Sequence, residues 1–413
     1  MRYKMAKKRN KKLRQDKGVL SSASQKQGHY SSLKINNFRI FDELELHDLG
    51  KINLFFGPNN SGKTSVLEAI FTHVCGLNII PALRHTTLTR QDGQISGHFD
   101  FGEKIFNLFK NKDKLPLEFS VSAKVGSNIK DYILKTAFWP SYELANLDPL
   151  LIGQPSMNYS GQKYDDNIIN QITKNESGLQ AVKTLHIGEW NAEFGGKSHK
   201  FVITFPLIRE ISLQPFKLGV MSDILSHRQI GADLRIFSYL KRYGKIAEFT
   251  TEMQQTFKEI HEIDMIPYPD GQNGMIYIEI SDNQRIPLHV FGDGMRRWFF
   301  LLGQMIVYQN AVHCIEEIDS TFHPGAHALL SKLLVNYAEK FDNQLFLTSH
   351  SIEFTDAFLN ALYGENGVIV EKNDDPVRIF TLGHSQENKT EIWSLSGREA
   401  FEKRQKFGLD LRG

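Results

Sequence analysis

The chain has 413 residues, 41% of them hydrophobic, with a formal net charge of +2 and two cysteines. That length leaves room for two or three domains, or one large domain carrying an insertion, around a sizeable core. The small net charge points to no partner, Cys75 and Cys314 frame neither a disulfide scaffold nor a zinc site, and no run of about 18 apolar residues is present to span a membrane.

The charge is unevenly placed. Residues 1–17 hold nine Lys or Arg against one acid, so the remainder is mildly acidic. Residues 1–31 lack apolar periodicity and are expected to form a basic, disordered tail. Clustered basic side chains can neutralise nucleic-acid phosphates. The basic part holds a single aromatic, Tyr3, and a solvated tail is the preferred reading. No apolar stretch follows it, so it is not a secretory signal, and a reduced cytoplasmic setting fits.

Residues 32–48 alternate apolar and polar positions through Leu33, Ile35, Phe38, Ile40, Leu44 and Leu46, which predicts a hairpin of half-buried strands. An apolar strand over residues 52–56 follows. It runs into Gly57-Pro58-Asn59-Asn60-Ser61-Gly62-Lys63-Thr64, a G-x-x-x-x-G-K-T spacing, and then a helix that begins near Gly62. Strand, Gly-bounded loop and helix together make a phosphate-binding loop. Inward-turned backbone N–H groups and the helix N-terminus suit an oxygen-rich anion. Lys63 can reach terminal phosphates, and the Thr64 hydroxyl can ligate Mg²⁺. The helix continues over 65–77, with Val66, Leu67, Ile70, Phe71 and Val74 on one face.

The middle, residues 78–290, is mixed. Strands are expected over 117–125, 132–138, 200–206 and 275–280, and helices over 103–110, 232–243 and 245–263. Residues 139–199, rich in Asn, Gly, Ser and Gln, read as a loop or lid. His186, Arg209, His227 and Arg228 are conspicuous there, and surface or core-packing roles are preferred for each. The helices are too short for coiled-coil arms.

A Gly292-Asp293-Gly294 turn then precedes an apolar helix over 295–307. The run 311–318 is short and β-prone and carries two carboxylates, Glu316 and Glu317; a helix over 325–340 follows. The strand 344–350 ends on Ser349 and His350, and a helix over 353–362 comes next. Strands over 367–371 and 377–382 and a helix over 398–407 complete the chain. Short apolar strands alternating with helices predict an α/β fold with a mainly parallel sheet. Ligands in such sheets bind at the carboxyl ends of the strands, where the phosphate loop, the paired Glu and Ser349-His350 all fall.

An acid at such an end suits Mg²⁺, and Glu316 is the better placed. Glu317 is suited to orient and deprotonate a water against the terminal phosphate. The division of roles stays open by one residue, and either acid could instead cap the next helix. His350 is placed to contact the terminal phosphate.

The order GPNNSGKT, GDGM, CIEEIDSTFHP, LFLTSHS resembles the ABC-type ATPases, and more narrowly the RecF/OLD-like group found in recombination and phage defence. Glu316 stands where that group has its first Asp, Glu317 at its catalytic glutamate, and His323-Pro324 at its His-Pro; residues 370–373 resemble its last strands. The resemblance covers about residues 32–77 and 286–382. It implies an ABC-type ATPase head with a mixed, mainly parallel sheet and a long α+β insertion. The expected division is a tail (1–31), an N-terminal lobe (32–85), an insertion or lid (86–285) and a C-terminal lobe (286–413).

It also implies ATP and Mg²⁺ as ligands and a dimer with ATP sandwiched between subunits. Gly57, Asn59, Asn60, Ser61, Gly62, Lys63, Thr64 and Ser65 of one subunit would hold the nucleotide, and Gly292, Asp293 and Gly294 of the other would face it. Lys63, Glu317 and His350 would be catalytic, with Thr64 and Glu316 on the metal. The turn departs from the group in lacking a Ser, Glu316 lengthens the metal arm, and the group's Mg²⁺-holding glutamine is not placed, Gln91 and Gln94 being weak candidates. Many relatives in that group carry a nuclease domain after the ATPase. The residues after His350 are too few for one, so an effector is expected as a separate chain. The first functional expectation is therefore an ATP-dependent switch in antiphage defence, similar to the ATPase of two-gene systems such as PARIS, with a toxin or nuclease effector and DNA or a phage protein as further partners. The alternative is a RecF- or SMC-like DNA-binding repair ATPase; a metabolic phosphotransferase is the weakest reading.

Overall fold

Apolar residues two or three apart line the covered face of a hairpin, β1 (Tyr30–Phe38) and β2 (Phe41–Leu46): Leu33, Ile35, Phe38, Phe41, Leu44 and Leu46 are all buried. The computed structural model describes residues 28–76, 78, 81–82, 85, 107–113, 117–126, 130–142, 185–194, 197–205, 215–229, 231–269, 274–280, 284–369, 375–384 and 390–411. The hairpin belongs to a six-stranded antiparallel sheet of order β2-β1-β4-β5-β6-β7, completed by β4 (Leu117–Val125), β5 (Lys130–Tyr142), β6 (Leu185–Phe194) and β7 (Lys197–Phe205). In β4 every second residue from Leu117 to Val125 is buried, the period-2 signature of a sheet with one covered face.

The second six-stranded sheet carries the site. Its order is β15-β14-β3-β13-β12-β8, from β3 (Ile52–Phe56), β8 (Gly219–Ser222), β12 (Val312–Ile315), β13 (Gln344–Thr348), β14 (Val377–His384) and β15 (Thr390–Ser396). All neighbours are parallel except β14 and β15. β3, β12 and β13 are buried throughout, as expected of strands covered on both faces. Phe55, Val312, Cys314 and Phe346 join the core that packs helix α1 (Lys63–Cys75) and the antiparallel sheet. Ile52, Leu54, Phe56, Leu345 and Leu347 face the opposite core. That core is filled by α2 (Ala232–Arg242), α3 (Ile246–Thr256), α4 (Asp293–Val307), α5 (His327–Lys340), α6 (Ile352–Tyr363) and α7 (Gly397–Phe407). A three-stranded antiparallel sheet of β9 (Ile260–Pro267), β10 (Gly274–Ile280) and β11 (Gln284–Pro287) packs with α2 and α3. The molecule is an α/β protein with mixed sheets flanked by helices.

Several expected elements change. The helix expected over 245–263 ends at Thr256, and Ile260 onward is β9, because its backbone groups pair with β10. Within the helix expected over 103–110, the described residues 107–110 form a turn with an isolated bridge, Phe38 to Phe109. The loop or lid expected over 139–199 holds the end of β5, all of β6 and the start of β7. β8 and β15 are strands that the sequence pattern does not predict; each is a sheet edge, where strand propensity depends most on context. Residues 367–369 are not a strand: Ile369 N–H bonds Leu362 O instead, closing the end of α6. The tail expected over 1–31 is shorter at its end, because Tyr30 and Ser31 already belong to β1 and pair within the antiparallel sheet; its residues 1–27, Gln91, Gln94, Arg209 and residues 370–373 lie outside the described residues.

Candidate functional site

Three strand ends converge. β3 delivers the loop 57–62, β13 delivers Ser349 and His350, and β12, on the far side of β13, delivers Glu316 and Glu317. Parallel pairing is what brings all three polar tips to one edge.

Backbone conformation shapes the loop. Gly57 has φ +142°, and a Cβ there would sit 2.3 Å from Leu382 O. Gly62 has φ +99°, and its Cβ would strike Ile40 and Phe41 of the β1–β2 hairpin. Only glycine satisfies both demands. Asn60, also at positive φ, and Asn59 are exposed, Ser61 is buried, and Thr64 is half-buried in the first turn of α1. That turn has no side-chain cap and no acid, so its amides and dipole are left for an anion. The Lys63 ammonium curls into the loop, donating to Gly57 O at 2.8 Å and Pro58 O at 2.7 Å. Burial lowers its pKa to about 8, against the attraction of Glu317. Ser65 is buried on the same turn.

Glu317 has φ +43°, a conformation that costs a non-glycine residue about 1–3 kcal/mol. Its surroundings hold it there. Its N–H donates to Thr348 Oγ1 at 2.9 Å, and its carbonyl accepts from Arg297 at 2.8 Å and Ser320 N–H at 2.9 Å. The Glu316 carbonyl accepts from the same Arg297 at 2.6 Å. Arg297, on α4, is 1% exposed; burial lowers its pKa to about 10, with Asp319, Glu317, Asp223 and Glu316 opposing. One guanidinium thus ties α4 to the acidic turn. The Glu317 carboxylate lies 3.7 Å from His350 Nε2, both side chains about two-fifths exposed, so both face an open site. Burial first, then the Lys63 charge, lowers the His350 pKa, while Glu317 and Asp319 raise it. Lys63, Glu317 and His350 therefore sense one another's charge.

The structure brings together Lys63, Glu317 and His350 and presents Gly57–Ser65 as one cradle. It does not join Gly292, Asp293 and Gly294 to them: among the described residues no hydrogen bond or ion pair links that turn to 57–65. Thr64 and Glu316 offer a hydroxyl and a carboxylate, the hard oxygen donors that Mg²⁺ shares with phosphates and water, so the donor chemistry fits that ion.

The sequence pattern does not single out Arg297, Thr348 or the pair of half-buried Arg39 with buried Glu68. Arg39 donates to Glu68 through Nε at 2.9 Å and through a terminal nitrogen at 3.2 Å, locking the hairpin onto α1 beside the loop. The signal was there. Arg297 stands among the buried apolar residues of α4 and Glu68 on the buried face of α1, where an unpaired charge would be costly.

A family model described as an AAA domain matches residues 32–266, more than half of the chain. The chain belongs to the AAA-domain family. A second AAA-domain model, described as "AAA domain, putative AbiEii toxin, Type IV TA system", matches residues 194–356. An ATP/GTP phosphatase of Helicobacter pylori is 21% identical over 338 residues, covering 78% of this chain and 85% of that protein. The DNA replication and repair protein RecF of Lysinibacillus sphaericus is 32% identical over 96 residues, 23% of this chain and 24% of RecF. Among solved structures, the Smc head domain of Pyrococcus furiosus, with ScpA bound, covers 92% of this AAA-domain chain at a TM-score of 0.44 and 9% identity. This is an AAA-domain ATPase similar to RecF-type proteins.

Proposed function

We propose that this ATPase binds ATP with Mg²⁺ in the cradle 57–65, hydrolyses it with Glu317 as general base, and works as a nucleotide-sandwich dimer that switches a separate effector in antiphage defence within the cytoplasm. The observation that carries the chemistry is the mutual approach of Lys63, Glu317 and His350 at the carboxyl edge of the parallel sheet. Glu317 accepts a proton from the attacking water. Lys63 leaves the Gly57 and Pro58 carbonyls for the phosphates, and His350 donates to the terminal phosphate. The loop amides of Asn59, Asn60, Ser61 and Gly62 hold the phosphate oxygens. Mg²⁺ on Thr64 and Glu316 would neutralise phosphate charge. Gly292, Asp293 and Gly294, which have no bond to the cradle in their own chain, are then free to meet the nucleotide of a second copy. A division into tail, two ATPase lobes and an insertion goes with this reading, with β8 of the insertion built into the nucleotide sheet.

The defence role is supported by the toxin–antitoxin description of the model spanning 194–356. Its test is the plating efficiency of a phage panel on bacteria that carry this chain with its neighbouring genes. Protection that disappears with Lys63→Ala is expected; equal plating with and without the genes overturns it. The partial match to RecF favours the second reading, a DNA-binding repair ATPase. Salt-dependent duplex binding that is lost on deleting residues 1–31 would support it.

A further inference from the structure

The Gly292-Asp293-Gly294 turn places a carboxylate where the dimer reading needs to receive a polyanion. On its own that carboxylate would repel a triphosphate. The structure neutralises it. Arg228 donates to Asp293 Oδ2, and the Arg296 guanidinium lies 3.8 Å from Oδ1. Two guanidinium groups against one carboxylate leave the turn cationic, and Asp293 opens α4, whose N-terminal end carries no side-chain cap.

A hydrogen-bonded turn presents Arg228. Asp223, just past β8, accepts from Ser226 Oγ at 2.8 Å and from Leu225 N–H at 2.9 Å, which closes the turn that presents residues 226–228. His227 packs behind it, 4% exposed, with neither ring nitrogen hydrogen-bonded among the described residues and Nε2 aimed at Asp293 Oδ1 from 3.7 Å. Burial and the neighbouring Arg297, Arg228 and Arg296 lower its pKa to about 4, so it is neutral at pH 7. A buried imidazole with no hydrogen bond is costly unless a partner arrives. The Arg228 side chain is half exposed, and among the described residues a Cβ on Gly292 would meet nothing within 4 Å, which leaves the turn room for an incoming group. Leu225 and Val290, 51% and 63% exposed, flank it with the apolar surface a second copy would cover.

We propose that Arg228 contacts the terminal phosphate of the ATP held by a second copy of this chain, leaving Asp293 to His227 and Arg296 as the dimer closes, and so supplies the donors that a Ser would otherwise give this turn. The inference rests on the dimer reading above. Among the described residues Arg228 has no hydrogen bond or ion pair with the phosphate loop of its own chain, and β8, which leads to it, lies three strand spacings from β3, roughly 14 Å. A guanidinium is suited to the task because its planar fork matches two phosphate oxygens.

The test mixes subunits. Arg228→Ala should keep its melting temperature and its ATP affinity, yet lose at least about tenfold in turnover, as when a transition-state donor is removed. Arg228→Lys should restore part of it. Mixed with equal amounts of Lys63→Ala, the Arg228→Ala chain should regain about a quarter of wild-type turnover. Half of the dimers are then mixed, and each has one complete site out of two. No regain on mixing overturns the inference, as does wild-type turnover by Arg228→Ala alone. The dimer itself is read separately: Glu317→Gln should form dimers in ATP and Mg²⁺ by light scattering. Dimers without regain defeat Arg228 alone, whereas no dimers defeat the dimer reading and this inference with it.

Discussion

Lys63 is a cation folded back on the carbonyls of its own loop, and its proton is loosely held. Its pKa of about 8 lies below the ordinary 10.5 because burial disfavours the charge. The folded chain therefore binds fewer protons there than the unfolded chain between about pH 8 and 10.5, and this residue's contribution to stability rises with pH across that window. ATP binding goes the other way, since phosphate needs the ammonium. ATP affinity should fall as pH rises past about 8, and binding at pH 8.5 should take up protons, read by calorimetry in buffers of different ionisation enthalpy. An affinity flat from pH 7 to 9.5 would contradict this. Gly57 is equally specific: Gly57→Ala drives a Cβ into Leu382 O, and it should lower both the melting temperature and ATP affinity.

At the scale of elements, α4 is tied to the acidic turn because Arg297 bonds two successive carbonyls, Glu316 O and Glu317 O. Arg297→Ala strands those acceptors and should cost about 2–4 kcal/mol in denaturant unfolding, with a larger loss of turnover than of ATP affinity. Unchanged stability would mean the link is not held by this residue. The elements legible in the sequence were the β1–β2 hairpin, α1, β4, α2, β10, α4 to α7 and β14, and the short apolar runs β3, β12 and β13 that lead to the loop, the acids and His350. β6 was hidden in a polar, Gly-rich stretch. β9 was hidden because Ile260 and Ile263 continue the helical spacing of α3, and only pairing with β10 decides between the two forms. The acids and His350 could be placed on strand ends from sequence. The brace under them could not, because Arg297 and Thr348 act through contacts between elements distant in the chain.

At the scale of the whole molecule, one parallel sheet sets phosphate cradle, acids and histidine along an edge, with the antiparallel sheet covering α1 on one side and the helices α2 to α7 on the other. No helix among the described residues is long and apolar enough to cross a membrane. ATP hydrolysis at that edge is the central claim. The direct measurement is ATP binding and steady-state turnover, side by side, for the wild-type chain, Lys63→Ala and Glu317→Gln. Lys63→Ala should lose binding and turnover together. Glu317→Gln should bind ATP as the wild type does and turn it over about 10²–10⁴-fold more slowly, the range for loss of a general base. Wild-type turnover in both variants would contradict the account.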